Sequence, residues 1–266
     1  MTMKKAFPTE FVYQVFSLLI AFILVHAIYV TLIRPQADAF MRQEAANMQA
    51  DPAYVQQRSF FVVIKDYEQE SCFVLMLWAL SILVYKGRAV YAQQKLLELD
   101  LLKLPANLPI GPEDTRELAG RLQSLPEPDR ESLFPRALLT AIERFGATRN
   151  IQDVSTAARD ICDSEGERLE SELSIIRYIA WAIPSVGFIG TVRGIGNALG
   201  QAHRAVEGDI TGVTASLGVA FNSTFIALVI SIVLMFFVHQ LQLMQERLVL
   251  DSERYVDRWM VRRMKT

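Results

Sequence analysis

The sequence predicts an all-α membrane protein with four transmembrane helices, in which helices three and four carry long cytoplasmic extensions. Three observations lead there. Hydrophobic residues make up 52% of the 266 and charged ones only 21%, with a mean hydropathy of +0.22 that is high for a soluble chain of this length. Uncharged runs long enough to cross a bilayer recur along the chain. Six of the ten prolines cluster in the charged stretch between the second and third of these runs. The net charge of −2, from 27 Lys and Arg against 29 Asp and Glu, lacks the basic surplus of a nucleic-acid binder, so no nucleic-acid partner is expected. Two cysteines (Cys72, Cys162) and three scattered histidines (His26, His203, His239) supply neither a disulfide framework nor a metal site. No metal, cofactor or catalytic residue is therefore expected.

The elements follow in order. Residues 1–10 form a short tail with Lys4 and Lys5. Residues 11–33 hold no Asp, Glu, Lys or Arg, and as a helix would reach ~35 Å, enough for a first span. The triplet Ala37-Asp38-Ala39 resembles a signal cleavage site, but a 23-residue core exceeds the ~7–15 residues of a signal peptide, so an uncleaved anchor is expected. Residues 34–70 read as a periplasmic loop, with four basic residues against six acidic. Residues 71–86 make a short second span, lengthened if Lys86 and Arg88 snorkel outward. The third span covers residues 175–202, where Arg193 interrupts an uncharged run that starts at Tyr178. A short loop at 203–210 leads to the fourth span at 211–239 and a C-terminal helix at 240–266. Basic residues gather in the N-terminal tail, after span two and after span four, so both termini should be cytoplasmic.

Residues 87–174 should form a cytoplasmic helical domain. Pro105, Pro109, Pro112, Pro126, Pro128 and Pro135 exclude one continuous helix there. A short helix near Glu113 to Leu125 and a second from Ser132 to Phe145, ended by Gly146, are expected. Residues 151–183 contain no proline, so the third span should begin as a cytoplasmic helix packed through Val154, Ala158, Ile161, Leu169, Leu173 and Ile176. The tail repeats the pattern with Leu241, Met244, Leu248 and Val256, and helices of this kind associate with copies of themselves or with neighbours.

Spans three and four carry the residues of interest. Gly187, Gly190, Gly194 and Gly196 in span three, and Gly212 and Ala220 in span four, are candidate packing residues, because small side chains let helices approach closely in a bilayer. Pro184 should kink span three and release the carbonyl four residues back. Thr191 and the run Asn222, Ser223 and Thr224 fall near mid-span, where each hydroxyl either bonds back to its own helix or joins a shared polar site. Arg193 either snorkels to the external surface or has a role within the span. A serine hydrolase would need a Ser and a His meeting at membrane depth, and no Gly-x-Ser-x-Gly elbow exists.

The run Pro-x-x-Gly-x-x-Gly-Thr-Val-x-Gly-Ile, from Pro184 to Ile195, followed by a short loop and a fourth span with Ser223-Thr224, resembles the MotA/TolQ/ExbB proton-channel family. The match is nearest to its TolQ and ExbB branch and covers roughly residues 175–239. The resemblance implies an inner-membrane, stator-type ion channel, a homopentamer around two copies of a single-span MotB/TolR/ExbD-like partner, that turns proton or sodium motive force into mechanical work. It implies that Thr191 and Thr224 match the two pore-facing threonines, that Pro184 matches the proline of span three, and that the ion-carrying Asp belongs to the partner. None of the four predicted spans contains Asp or Glu, which agrees. Three positions depart from the pattern: Arg193 stands in place of Trp, Val219 in place of Glu, and Val233 in place of a second proline. A non-conducting oligomeric membrane scaffold is the alternative.

Overall fold

The computed structural model describes residues 9–51, 54–55, 57–99, 101–102 and 109–265, with Trp259 described by its backbone alone. Lys4, Lys5, most of the 1–10 tail and Pro105 lie outside the described residues. In chain order the helices are α1 (Thr9–Ile28), a π-turn (Tyr29–Ile33), α2 (Arg34–Ala50), α3 (Phe60–Ile64), α4 (Tyr67–Leu97), α5 (Thr115–Gln123), α6 (Glu127–Arg130), α7 (Leu133–Thr148), α8 (Ile151–Glu172), α9 (Ser174–Gly200), α10 (Ala202–Val206) and α11 (Thr211–Trp259). Short 3₁₀ turns occupy Pro112–Asp114 and Val261–Arg263. Among the described residues there is no strand, only an isolated bridge between Ile110 and Met264. Four helical runs, Thr9–Ala50, Tyr67–Leu97, Ile151–Gly200 and Thr211–Arg263, are long and apolar enough to cross a membrane, and the protein is an all-α, multi-pass membrane protein.

The chain divides into two compact units: Met1–Leu83 with Ile175–Phe237, and Val84–Ser174 with Val238–Thr266. In the first unit, α1 is held to α4 by Tyr13, whose hydroxyl donates to Ser81 O at 3.1 Å, and by Trp78, whose indole donates to Gln14 O at 2.9 Å. Aromatic N–H and O–H groups find partners in this way because an unpaired donor in lipid is costly. Phe16, Ile20, Phe22 and Ile23 on α1 are exposed, as a lipid-facing surface requires. The 34–70 stretch is largely helical: α2 continues the first span through the π-turn, with Ala37 and Glu44 buried. Glu44 accepts from the Tyr54 hydroxyl and the Gln57 N–H, both at 2.8 Å, so its buried carboxylate is satisfied. In the connection ahead of α11, hydrogen bonds from the Thr211 hydroxyl and N–H hold the Asp209 carboxyl below its ordinary range.

The second unit is built on α7 and α8, whose buried faces come from 3.6-residue periodicity. On α8 the buried positions are Val154, Ala158, Cys162, Glu165 and Leu169; Ile161, expected on this face, is only half-buried. Cys162 and Glu165 complete the i, i+4, i+7 stripe that a search for apolar residues alone misses. Burial pushes the Cys162 thiol up to about 12. On α11 the stripe is Leu241, Gln245, Leu248, Ser252 and Val256, while Met244 is half-buried beside it.

Three local expectations need correction. Gly146 does not end α7, which continues to Thr148 with Arg149 in the left-handed region (φ 53°) and its N–H on Phe145 O at 2.9 Å. Gly146 instead faces Thr115, whose Oγ1 would lie 3.0 Å from an added Cβ, so the glycine serves packing against α5 rather than termination. Residues 151–183 are not one unbroken helix, since a turn at Leu173 separates α8 from α9. Lys86 does not snorkel: it is 4% exposed, and its Nζ lies 2.9 Å from Glu172 Oε2, an ion pair within the second unit.

Candidate functional site

The candidate site is built where α9 meets α11 in the first unit. A Cβ added at Gly187 would lie 2.5 Å from Ala227 Cβ, at Gly190 2.5 Å from Ser223 Cβ, and at Gly194 2.7 Å from Ala220 Cβ and Ala220 N. Steps of three and four keep these residues on one face of each helix, so the backbones approach along a seam of small residues. Gly196 sits two residues past Gly194, about 200° around the helix, and an added Cβ there meets nothing within 4 Å. Gly212 faces the Gln201 side chain at the start of α11 instead of the seam.

The seam brings the two threonines together. The Thr191 and Thr224 hydroxyls are hydrogen-bonded to each other. Thr191 Oγ1 also lies 3.1 Å from Ala220 O on the facing helix and 3.3 Å from Gly187 O on its own, and Thr224 Oγ1 lies 3.2 Å from Gly187 O across the seam. Of the two alternatives, the shared arrangement therefore holds for the threonines, and back-bonding holds for Ser223, whose Oγ donates to Val219 O at 2.8 Å. Asn222 is half-buried and takes no part in these bonds. The helix runs unbroken through Pro184. Proline leaves the Ala180 carbonyl without its helical donor, and Ser231 Oγ on α11 donates to it at 3.0 Å. The carbonyl released at Pro184 and the hydroxyl introduced at Thr191 are thus both met across the seam by hydroxyls of α11.

Sequence reasoning missed the first turn of α4. The sequence reading puts Glu68, Gln69 and Glu70 in the loop ahead of the second span; the structure places them in the first turn of α4, each side chain reaching a different neighbour. Glu68 Oε2 lies 2.6 Å from Arg193 Nη2, and its Cγ lies 3.1 Å from the Cβ position of Gly190, one residue from Thr191. Gln69 is fully buried and donates to Val63 O at 3.1 Å and to Ser223 Oγ at 3.5 Å. Glu70, 6% exposed, takes His26 Nδ1 on Oε1 at 2.6 Å and an Arg34 guanidinium nitrogen on Oε2. Arg193 is therefore ion-paired rather than simply extended to a surface. The missed signal is spacing: Glu70 lies one residue before the apolar run that begins at Ser71, and Arg34 one residue after the run that ends at Ile33, so two spans entering antiparallel bring these charges level.

Residues 130–254, a little under half of the chain, match the model of the MotA/TolQ/ExbB proton channel family. No curated protein and no solved structure matches. The family region extends some way upstream of the motif, taking in α7 and α8, and contains the whole glycine seam, Pro184, Thr191 and Thr224. It is a proton channel family and not an enzyme class.

Proposed function

From a chain whose residues 130–254 belong to the MotA/TolQ/ExbB proton channel family, we propose a stator-type subunit of an inner-membrane ion channel that converts proton or sodium motive force into mechanical work. In this reading the subunit acts as a pentamer around two copies of a single-span protein carrying a membrane Asp, with both of its own termini in the cytoplasm. Membership in the TolQ and ExbB branch is part of the same proposal. The observation that carries it is the hydrogen-bonded pair Thr191 and Thr224, set on facing helices within the family region. Hydroxyls of this kind can pass a proton or complete an ion's hydration shell at a depth where no other ionisable group is needed on these two helices. Arg193, held by Glu68, is the gating candidate.

Thr224→Val preserves shape and removes the hydroxyl, so it tests the chemistry apart from packing. In proteoliposomes holding the chain with its co-purified partner, ion flux under an imposed gradient should fall at least about tenfold while the complex keeps its stoichiometry by native mass spectrometry. Five copies of this chain with two of a single-span, Asp-bearing protein is the expected composition. Unchanged flux in Thr224→Val removes the threonine pair from the pathway. A symmetric oligomer without a single-span protein and without flux favours the scaffold, in which the seam only packs helices.

A further inference from the structure

Around Glu70 the structure leaves three buried polar atoms without a hydrogen-bond partner among the described residues: Tyr29 Oη, Asp66 Oδ2 and Gln69 Oε1. Tyr29 is 1% exposed and Gln69 fully buried. Such groups lose the hydration of the unfolded chain and gain nothing in return, and folded proteins keep few of them without a use. All three border the His26–Glu70–Arg34 group. Gln69 is the neighbour of Glu70, Asp66 lies one turn before it with Asp66 O accepting from Glu70 N at 3.1 Å, and the Tyr29 ring lies 5.7 Å from the Arg34 guanidinium carbon.

The backbone supports the same grouping. His26 and Arg34 are eight residues apart, which in a regular α-helix leaves their side chains about 80° apart around the axis. The π-turn at Tyr29–Ile33 lies between them and takes up that offset, so both reach the two oxygens of one carboxylate. Turns of this type concentrate at functional positions. No described group of three or more His, Cys, Asp or Glu side chains is arranged to hold a metal ion, and a proton is the ligand that one imidazole and one carboxylate at 2.6 Å can take.

We infer that His26 and Glu70, with the unpartnered Tyr29 Oη and Asp66 Oδ2 beside them, form a proton-binding site of this chain, and that Gln69, next to Glu70, ties it to α11 through its contact with Ser223 Oγ. Arg34 donates to Oε2, and with Glu70 as the carboxylate the Nδ1–H tautomer of His26 donates to Oε1 and leaves the Nε2 lone pair open. A proton arriving at Nε2 makes the imidazolium. The Nδ1 proton then passes to Oε1, leaving a neutral imidazole and a carboxylic acid, and the reverse steps return it, with no other reactant consumed. The charged groups beside this pair are Arg34, on the same helical run as His26, and Asp66, one turn before Glu70 and paired with Lys65; Glu68 turns instead to Arg193 of α9, and the uncharged Ser223 of α11 meets the neighbouring Gln69. His26 is half exposed on the outer side of the site, stacked on Phe22 with ring centroids 5.6 Å apart, so one end of the site opens at the surface of the unit.

That this site serves ion flow rests on the channel reading, and the experiment separates the two. Proton flux into proteoliposomes is measured between pH 5 and 8 for the wild type, Thr224→Val, His26→Gln and Tyr29→Phe, alongside NMR of ¹⁵N-histidine-labelled full-length protein. Tyr29→Phe is the sharpest variant, because deleting a hydroxyl with no partner leaves packing intact and a merely structural role predicts no loss. The expected result is a fall in flux of about tenfold in both His26→Gln and Tyr29→Phe, with a His26 resonance that titrates and whose proton affinity changes about tenfold in Glu70→Gln. Wild-type flux in both variants, with Thr224→Val inactive, overturns the inference and leaves the threonine reading standing. If the wild type conducts no protons, the threonine reading fails and the titration decides: a midpoint that moves in Glu70→Gln upholds the proton site, and an imidazole that stays neutral from pH 5 to 8 overturns it.

Discussion

The two units each bury a glutamate in a network of charges, and they finish the task differently. In the second unit, Glu165 is 2% exposed and has a basic partner on each oxygen: Arg168 Nη2 at 2.5 Å on Oε1, with Arg168 Nε at 3.1 Å and Arg136 Nη2 at 3.3 Å on Oε2. Arg168 continues to Glu172 Oε1 at 2.9 Å, and Lys86 closes on Glu172 Oε2. In the first unit Glu70 is also buried, yet near it stand three polar atoms with no partner among the described residues. A saturated network resists change because every alternative arrangement loses a bond, whereas an unsaturated one has room for a proton to move. The comparison separates a buried charge cluster that holds structure from one that can do chemistry. Among the described residues of the second unit, Gln245 Nε2 is a buried amide nitrogen without a partner.

The comparison can be broken or sharpened by substitution. The largest effect is expected from the double variant Arg136→Ala with Arg168→Ala. Both arginines are about half exposed while Glu165 is not, so removing them strands a buried carboxylate and should cost about 3–5 kcal/mol in thermal or denaturant unfolding of the detergent-solubilised protein. Glu165→Gln, which leaves two arginines free to reach water, should cost much less; equal losses would mean that the network is not held by the buried partner. Next comes the seam. Gly194→Ala puts a methyl group 2.7 Å from the Ala220 backbone nitrogen and should cost about 1–3 kcal/mol, while Gly196→Ala, facing open space, should cost nothing.

A smaller effect separates the units by pH. The Cys162 thiol titrates near 9 when unfolded and near 12 when buried, so above pH 9 the unfolded state binds fewer protons than the native one and stability falls as pH rises toward 12. The slope approaches about 1.4 kcal/mol per pH unit within that window and vanishes in Cys162→Ala, as unfolding at pH 8, 9, 10 and 11 would show. Smallest of all is Tyr29→Phe, for which unfolding should show no loss of stability, since the hydroxyl removed has no partner. A clear loss would mean that the first unit's cluster is as saturated as the second's.

Much of this molecule was legible in its residues. Four spans, the helical middle domain and the small-residue faces follow from run length and period, which depend only on the 1.5 Å rise and 3.6-residue turn of the helix. Pro184 and Thr191 could be singled out for the same reason, since proline's missing donor and a hydroxyl within an apolar run are costs readable in one dimension. Gly146 and Ile161 were misread because termination and packing, or the exact edge of a buried stripe, are settled by the neighbouring helix. The helical placement of Glu68, Gln69 and Glu70 was not legible because charged residues mark the end of an apolar run in a sequence, and their partners come from other helices.

The sequence by itself determined that the chain is helical, that it crosses the membrane, and where its helices turn polar, because backbone hydrogen bonding and apolar run length leave no other solution in lipid. Tertiary structure alone decided which polar groups meet: that Thr191 pairs with Thr224, that Ser231 answers the carbonyl freed by Pro184, and that Glu70 stands between His26 and Arg34. Hydrogen bonds and ion pairs act over about 3 Å, while the residues that make them are separated by 33, 51, 44 and 36 positions, and only the packing of helices closes that distance.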